Sequence, residues 1–214
     1  KPPDMRADKK IEYKEVEENI FRLFIGVDGS TTRDTTAFMP IFNTKSNKLI
    51  LKTGDIFAHN PKKHGQVRNV DMARLIRQWL QEIIRKYALW NIGHDNMIFV
   101  VDWHATDLIA NLKFEVGDLA LVYKFTEKDL INTSEMVNNS FTDNQLFIIE
   151  ESFKYYKEED YNTPPSVLFN ELQTVCWSEE QPDKFNDSIP NDFTDGLRYP
   201  VAYYSTPAHL LKNY

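Results

Sequence analysis

Four aspartates stand out by where they fall in the chain. Asp28 closes an apolar run over residues 21–28, Asp102 closes another over 97–101, and Asp192 and Asp195 lie three apart where a helix pattern begins. A carboxylate at the end of a buried strand is held by rigid backbone on one side and open to solvent on the other, the placement that a metal ligand or phosphate-site residue needs. Residues three apart in a helix share a face, so Asp192 and Asp195 offer two carboxylates side by side. Gathered in one place, such acids repel unless a divalent cation sits between them, and Mg²⁺ and Mn²⁺ prefer oxygen ligands. Two such ions, roughly 3.5–4 Å apart, stabilise the attacking and leaving oxygens of a phosphoryl displacement. The chemistry on offer is phosphodiester hydrolysis. Each acid also has a local alternative: Asp28 with Ser30 starts a turn, Asp102 caps one, and Asp192 and Asp195 complement a helix dipole, worth about 0.3–1 kcal/mol.

The elements that must position these acids follow from the patterning. Residues 21–28, 37–42 and 49–57 read as three strands of an antiparallel meander, with a polar turn over 43–48. Pro40 predicts that the second strand is irregular or lies at an edge, because proline donates nothing to a ladder. A basic loop over 59–65 precedes a long amphipathic helix, in which Val70, Ala73, Ile76, Leu80, Ile83, Ile84 and Tyr87 fall at spacings of three and four. Strand 97–101, helix 105–112, strand 119–125 and helix 127–138 then alternate as a partly parallel sheet with crossover helices does. A short apolar run over 146–149 and a helix over 166–177 follow. Asn191 is placed to cap a last helix bearing Phe193, Leu197, Val201 and Tyr204 on its apolar side, and Pro200 predicts that this helix kinks or ends early.

The bulk composition bounds the answer. At 214 residues and 42% hydrophobic, the chain has enough apolar surface for one sizeable domain, placed at 20–205 between a charged lead-in (1–19) and a short tail (206–214). It has no run of eighteen apolar residues and no apolar signal region, so neither a membrane span nor secretion is expected. The first residue is Lys, which fits a fragment of a longer polypeptide or a processed or tagged chain. One cysteine, Cys176, excludes an internal disulfide framework and a cysteine-rich zinc cluster, and reads as a packed thiol. The five histidines show no zinc-ligand spacing. A net charge of −7 argues against indiscriminate nucleic-acid binding, unless much of it is concentrated at a metal site and offset there by bound ions.

Three strings carry a resemblance: Gly26-Val27-Asp28-Gly29-Ser30 with Asp34-Thr35-Thr36-Ala37, then Ile98-Phe99-Val100-Val101-Asp102, then Asn191-Asp192-Phe193-Thr194-Asp195-Gly196-Leu197-Arg198-Tyr199. Together they resemble the acidic motifs of the C-terminal nuclease domain of tailed-phage large terminase subunits, over residues 21–204. The resemblance implies an α/β, ribonuclease-H-like fold, a central mixed sheet of antiparallel hairpins then parallel strands flanked by helices. It implies an endonuclease that cuts concatemeric viral DNA during packaging, with two Mg²⁺ or Mn²⁺ ions held by Asp28, Asp102 and one or both of Asp192 and Asp195. Double-stranded DNA, an N-terminal ATPase domain of the same polypeptide, the portal and the small subunit are the partners it implies, and the host cytoplasm the location. The chain itself has no Gly-x-x-x-x-Gly-Lys-Ser/Thr loop, so no motor activity is expected from it. Family members commonly carry Ala after the last aspartate, where this chain has Gly196, and Pro200 follows.

Other residues take smaller roles. Lys62, Lys63 and Arg68 are candidate contacts to DNA phosphates or an ordinary solvated surface. Asp34 is a further ligand or a turn cap, and His104 a proton shuttle or a surface histidine. Resolvases and transposases share the acid layout. Asp28-Gly29-Ser30-Thr31-Thr32 also resembles the first phosphate loop of actin-like ATPases and sugar kinases, but the second glycine-rich loop they need is absent. From another class, a non-catalytic module of the same fold would bind a portal or DNA.

Overall fold

A computed structural model describes residues 19–29, 35–126, 130–149, 164–174 and 191–206. Ser30, Asp34, Cys176 and His209 lie outside the described residues, as do the lead-in to residue 18, the first residues of the helix expected from 127, the last of the helix expected to 177, and the tail from 207. The chain forms β1 (Ile20–Asp28), β2 (Thr36–Thr44) and β3 (Leu49–Lys52), then a 3₁₀ turn at Thr53–Asp55 and β4 (Phe57–His59). After these come α1 (Pro61–His64), α2 (Asn69–Lys86), β5 (Met97–Asp102), α3 (Thr106–Val116), β6 (Leu121–Phe125), α4 (Leu130–Thr142), β7 (Leu146–Ile149), α5 (Pro164–Thr174) and α6 (Asp192–Ser205).

The strands make one mixed sheet in the order β6-β5-β1-β2-β3-β7, with β4 also paired to β2. The meander is antiparallel, and β5, β6 and β7 join it in parallel through crossover helices. Strand residues alternate faces, and here the two faces have separate cores. Leu23, Ile25 and Val27 of β1, with Met97, Phe99 and Val101 of β5, pack on α2 and α3. Phe24 of β1, with Ile98 and Val100 of β5, packs on the other side with residues of α4, α5 and α6. Parity therefore turns Gly26, Asp28 and Asp102 toward α6.

Four expectations need correction. The run 49–57 is two strands, because the chain turns at Thr53–Asp55 to bury Asp55. There its carboxylate accepts from Lys86 Nζ at 2.7 Å and from the Tyr87 hydroxyl, and its carbonyl accepts from Trp79 Nε1 at 3.0 Å. Pro40 lies within an unbroken interior strand rather than at an edge. On one side it faces Ile25; on the other, the partners of β2 stop at Phe38 with β4 and resume at Ile41 with β3. The same turn that divides β3 from β4 thus leaves a gap where a residue without an N–H forfeits no ladder bond.

Residues 61–64 of the expected basic loop form a short helix, its first turn capped by Asn60 Oδ1, which accepts from the Lys62 N–H at 3.0 Å. The last helix runs through Pro200 for fourteen residues. Proline there deprives the Gly196 carbonyl of its intrahelical donor, and that carbonyl is pressed against Gly26 of β1. A Cβ on Gly26 would collide with it and would stand 2.6 Å from Pro200 Cδ. Helix and strand meet backbone to backbone at this point. No described helix is long and apolar enough to cross a membrane.

Candidate metal centre

The parallel ladder pairs Val27 with Val101, so Asp28 and Asp102 end adjacent strands at the same edge of the sheet and face the same way. Adjacent strands lie roughly 4.8 Å apart. The first turn of α6 brings Asp192 and Asp195 to this edge, because the contact at Gly26 seats the helix on β1. All four sequence-predicted acids are therefore drawn into one neighbourhood.

Their electrostatics agree with this placement. Burial pushes the Asp28 carboxyl well above the usual carboxylate range, and the charges of Asp195, Asp192 and Asp102 push it further, with Arg198 opposing. Asp195 is also raised, by burial first, against the pull of Arg198. Among the described residues no three His, Cys, Asp or Glu side chains are already closed around a point that would hold an ion. The donor set nonetheless suits a hard divalent cation: every candidate ligand is a carboxylate oxygen, and the half-buried Asp28 is burdened by three like charges that a cation would relieve.

Three residues to which the sequence alone assigns no role shape this site. Arg198 is buried; its Nε donates to Asp195 Oδ1 at 2.9 Å, its Nη2 completes an ion pair with the same oxygen at 2.9 Å, and its Nη1 donates to Thr133 Oγ1 of α4 at 2.8 Å. The spacing of three from Asp195 is the signal that could have revealed it. The Tyr199 hydroxyl donates to Asp28 Oδ1, and burial with the Asp28 charge drives its own pKa well upward. Glu171 of α5 reaches the start of α6, where its Oε2 accepts from the N–H groups of Phe193 and Thr194, each at 2.9 Å. Asn191 does occupy the N-cap position, but its side chain caps nothing and instead donates from Nδ2 to Asp195 Oδ2 at 3.2 Å.

The remaining candidates lie around the rim. His104 is exposed beside Asp102, with its backbone N–H 3.2 Å and its ring Nδ1 3.3 Å from Asp102 Oδ1. Thr36, one residue beyond the partner of Asp28, pairs with His59, so α1 with exposed Lys62 and Lys63 leaves the sheet at the Asp28 end. Arg68, at the start of α2, is exposed and ion-paired with Asp71 at 2.7 Å.

No protein-family profile matches the sequence, and no curated protein matches it. Solved structures do. The large terminase of a thermophilic bacteriophage is 13% identical with a TM-score of 0.59, over 91% of this chain and 43% of that one. The chain thus spans about two-fifths of that protein. The Mn-soaked nuclease domain of human cytomegalovirus terminase is 9% identical with a TM-score of 0.59, covering 90% of this chain and 87% of that one. The large terminase nuclease domain of bacteriophage SPP1, with bound Mn, is 16% identical with a TM-score of 0.51, covering 92% and 93%. The mixed seven-stranded sheet with helices on both faces is the ribonuclease-H-like fold of the large terminase nuclease domains.

Proposed function

We propose that this chain is the nuclease of a viral DNA-packaging terminase, a divalent-metal-dependent endonuclease that hydrolyses phosphodiester bonds of concatemeric DNA. The observation that carries the reading is that Asp28 and Asp102 directly follow the paired Val27 and Val101 at adjacent strand ends, with Asp28 burdened by the charges of Asp102, Asp192 and Asp195. Nuclease domains of the same fold carry Mn, and the same role is assigned here to Mg²⁺ or Mn²⁺, two ions, held by Asp28, Asp102 and one or both of Asp192 and Asp195. When bound, the ions supply the Lewis acidity that stabilises both oxygens of the displacement.

The chain's own residues orient this site. Arg198 and Asn191 together fix both oxygens of Asp195, Tyr199 fixes one oxygen of Asp28, and His104 stands where a proton can pass between Asp102 and solvent. Lys62 and Lys63 would approach DNA phosphates from α1, and Arg68 would join them by exchanging Asp71 for a phosphate. An ATPase in the rest of the polypeptide, the portal and the small subunit complete the packaging assembly.

Cleavage of supercoiled plasmid in Mg²⁺, Mn²⁺, Ca²⁺ and EDTA tests the reading, with Asp102→Ala and Asp195→Ala alongside. Nicking that requires metal and disappears in both variants, with circular dichroism unchanged, is the expected result. Cutting that survives both substitutions places the activity elsewhere. A folded chain that cuts in no metal favours a binding module of the same fold.

A further inference from the structure

We propose that Glu171 is a positioning residue for the metal-binding acids, acting through the backbone of α6 and not by touching the metal; this rests on the nuclease reading above. Its Oε2 accepts from the two peptide N–H groups that lie between Asp192 and Asp195, each at 2.9 Å. These are groups that a helix cannot satisfy internally, and the N-cap side chain is their ordinary partner. Here the N-cap residue is Asn191, and its amide is spent on Asp195 Oδ2 instead. Capping has passed to a different helix, twenty-two residues earlier in the chain.

The exchange is unfavourable as a device for stability alone. Glu171 is 2% exposed, its Oε1 is buried with no hydrogen-bond partner among the described residues, and Asp192 adds like charge nearby. A half-satisfied buried carboxylate is a poor way to end a helix. What the arrangement achieves is geometric. Glu171 fixes the peptide planes between the two aspartates while Asn191 fixes the side chain of the second. Residues that orient ligands in this way govern metal affinity without binding the metal.

Isothermal titration of the whole chain with Mn²⁺, free of DNA, provides the test, on wild type, Glu171→Gln, Glu171→Asp, Glu171→Ala and Leu168→Ala. Leu168 is buried on the same helix, so its truncation loosens α5 without removing the cap. Glu171→Gln keeps an acceptor oxygen at the same reach and is expected to bind Mn²⁺ as wild type does. Glu171→Asp, one methylene short, and Glu171→Ala are expected to bind about tenfold or more weakly, and to need correspondingly more Mn²⁺ for half-maximal plasmid cutting while recovering rate at saturation. If Glu171→Ala does not fold, Glu171→Asp alone decides. Wild-type affinity in folded Glu171→Asp overturns the proposal, as does an equal loss in Leu168→Ala, which would mark a general loosening of α5. A wild-type chain that binds no Mn²⁺ overturns both this proposal and the nuclease reading, whereas the other two results overturn this proposal alone.

Discussion

The Tyr199 hydroxyl of α6 lies 3.3 Å from Asp28 Oδ1 at the end of β1, a hydrogen bond between a helix and a strand 171 residues apart in sequence. It is a direct side-chain tie between the last acidic segment and the first. Tyr199→Phe removes the donor and leaves the ring, which packs on Phe125. The expected loss of stability is about 1 kcal/mol, read from urea denaturation. An unchanged midpoint would show that the bond contributes nothing net.

Asp28→Asn should separate stability from function. The neutral amide relieves the repulsion from Asp195, Asp192 and Asp102, so the metal-free variant is expected to melt at a higher temperature than wild type. Wild type should then gain about 2.7 kcal/mol from Mn²⁺ at a hundred times its dissociation constant, and the variant little. Calorimetry with and without Mn²⁺ measures both. A metal-free variant that melts lower than wild type contradicts the account of the acidic cluster.

Glu171 makes the folded state sensitive to pH. Burial lifts its pKa from 4.5 to about 7, against the pull of the N–H groups that it caps. Because the folded state holds this proton more tightly than the unfolded chain does, the metal-free protein is most stable below pH 4.5 with respect to this group. It loses stability as pH rises toward 7, by an amount on the order of 3 kcal/mol. Asp28 and Asp195, also raised, act in the same sense from lower pH. Urea midpoints between about pH 4.5 and 8 should fall for wild type and fall less for Glu171→Gln. Parallel curves would show that another group carries the dependence.

The two glycines at the contact between β1 and α6 should respond differently to alanine. A Cβ on Gly26 meets the Gly196 carbonyl and the Pro200 ring, neither of which can give, so Gly26→Ala is expected to cost about 3 kcal/mol or more and to weaken Mn²⁺ binding by lifting α6. A Cβ on Gly196 meets one atom, Met39 Cγ at 2.8 Å, partway along a buried side chain and not backbone or a ring. Gly196→Ala also gains up to about 1 kcal/mol of helix propensity, which offsets part of that clash, so it is expected to cost less than Gly26→Ala. Thermal melts of both variants decide, and equal damage would mean that Met39 has no room to move.

Much of this is legible in the sequence because it depends on local pattern. The alternation of Leu23, Ile25 and Val27 with Phe24, Gly26 and Asp28 contains the facing of Asp28, and the same holds for Asp102. What local pattern does not contain is the partner across a gap. Glu171 belongs to a helix whose approach to α6 depends on packing between distant segments, so nothing in its sequence neighbours marks it. Pro40 misleads because the ladder gap that accommodates it is created by Asp55, farther along the chain, turning inward to meet Lys86 and Tyr87. Pro200 misleads for a related reason, since the carbonyl that it strips of a partner is the one seated against Gly26.

The two separate cores make β1 a strand with a phase. From Leu23 onward its odd-numbered residues belong to the side of α2 and α3, and Phe24 to the side of α4, α5 and α6; Ile20, before a shift of register at Ile20–Arg22, packs on the first side. Deleting one residue between Leu23 and Val27 reverses that phase for the remainder of the strand. Either the core is inverted and Asp28 keeps its side, or the core is kept and the carboxylate is delivered to the far side of the sheet from Asp192 and Asp195. Deleting two restores the phase but draws Asp28 back from the edge by about 6.6 Å. The length of this strand is therefore as much a part of the site as the acid at its end.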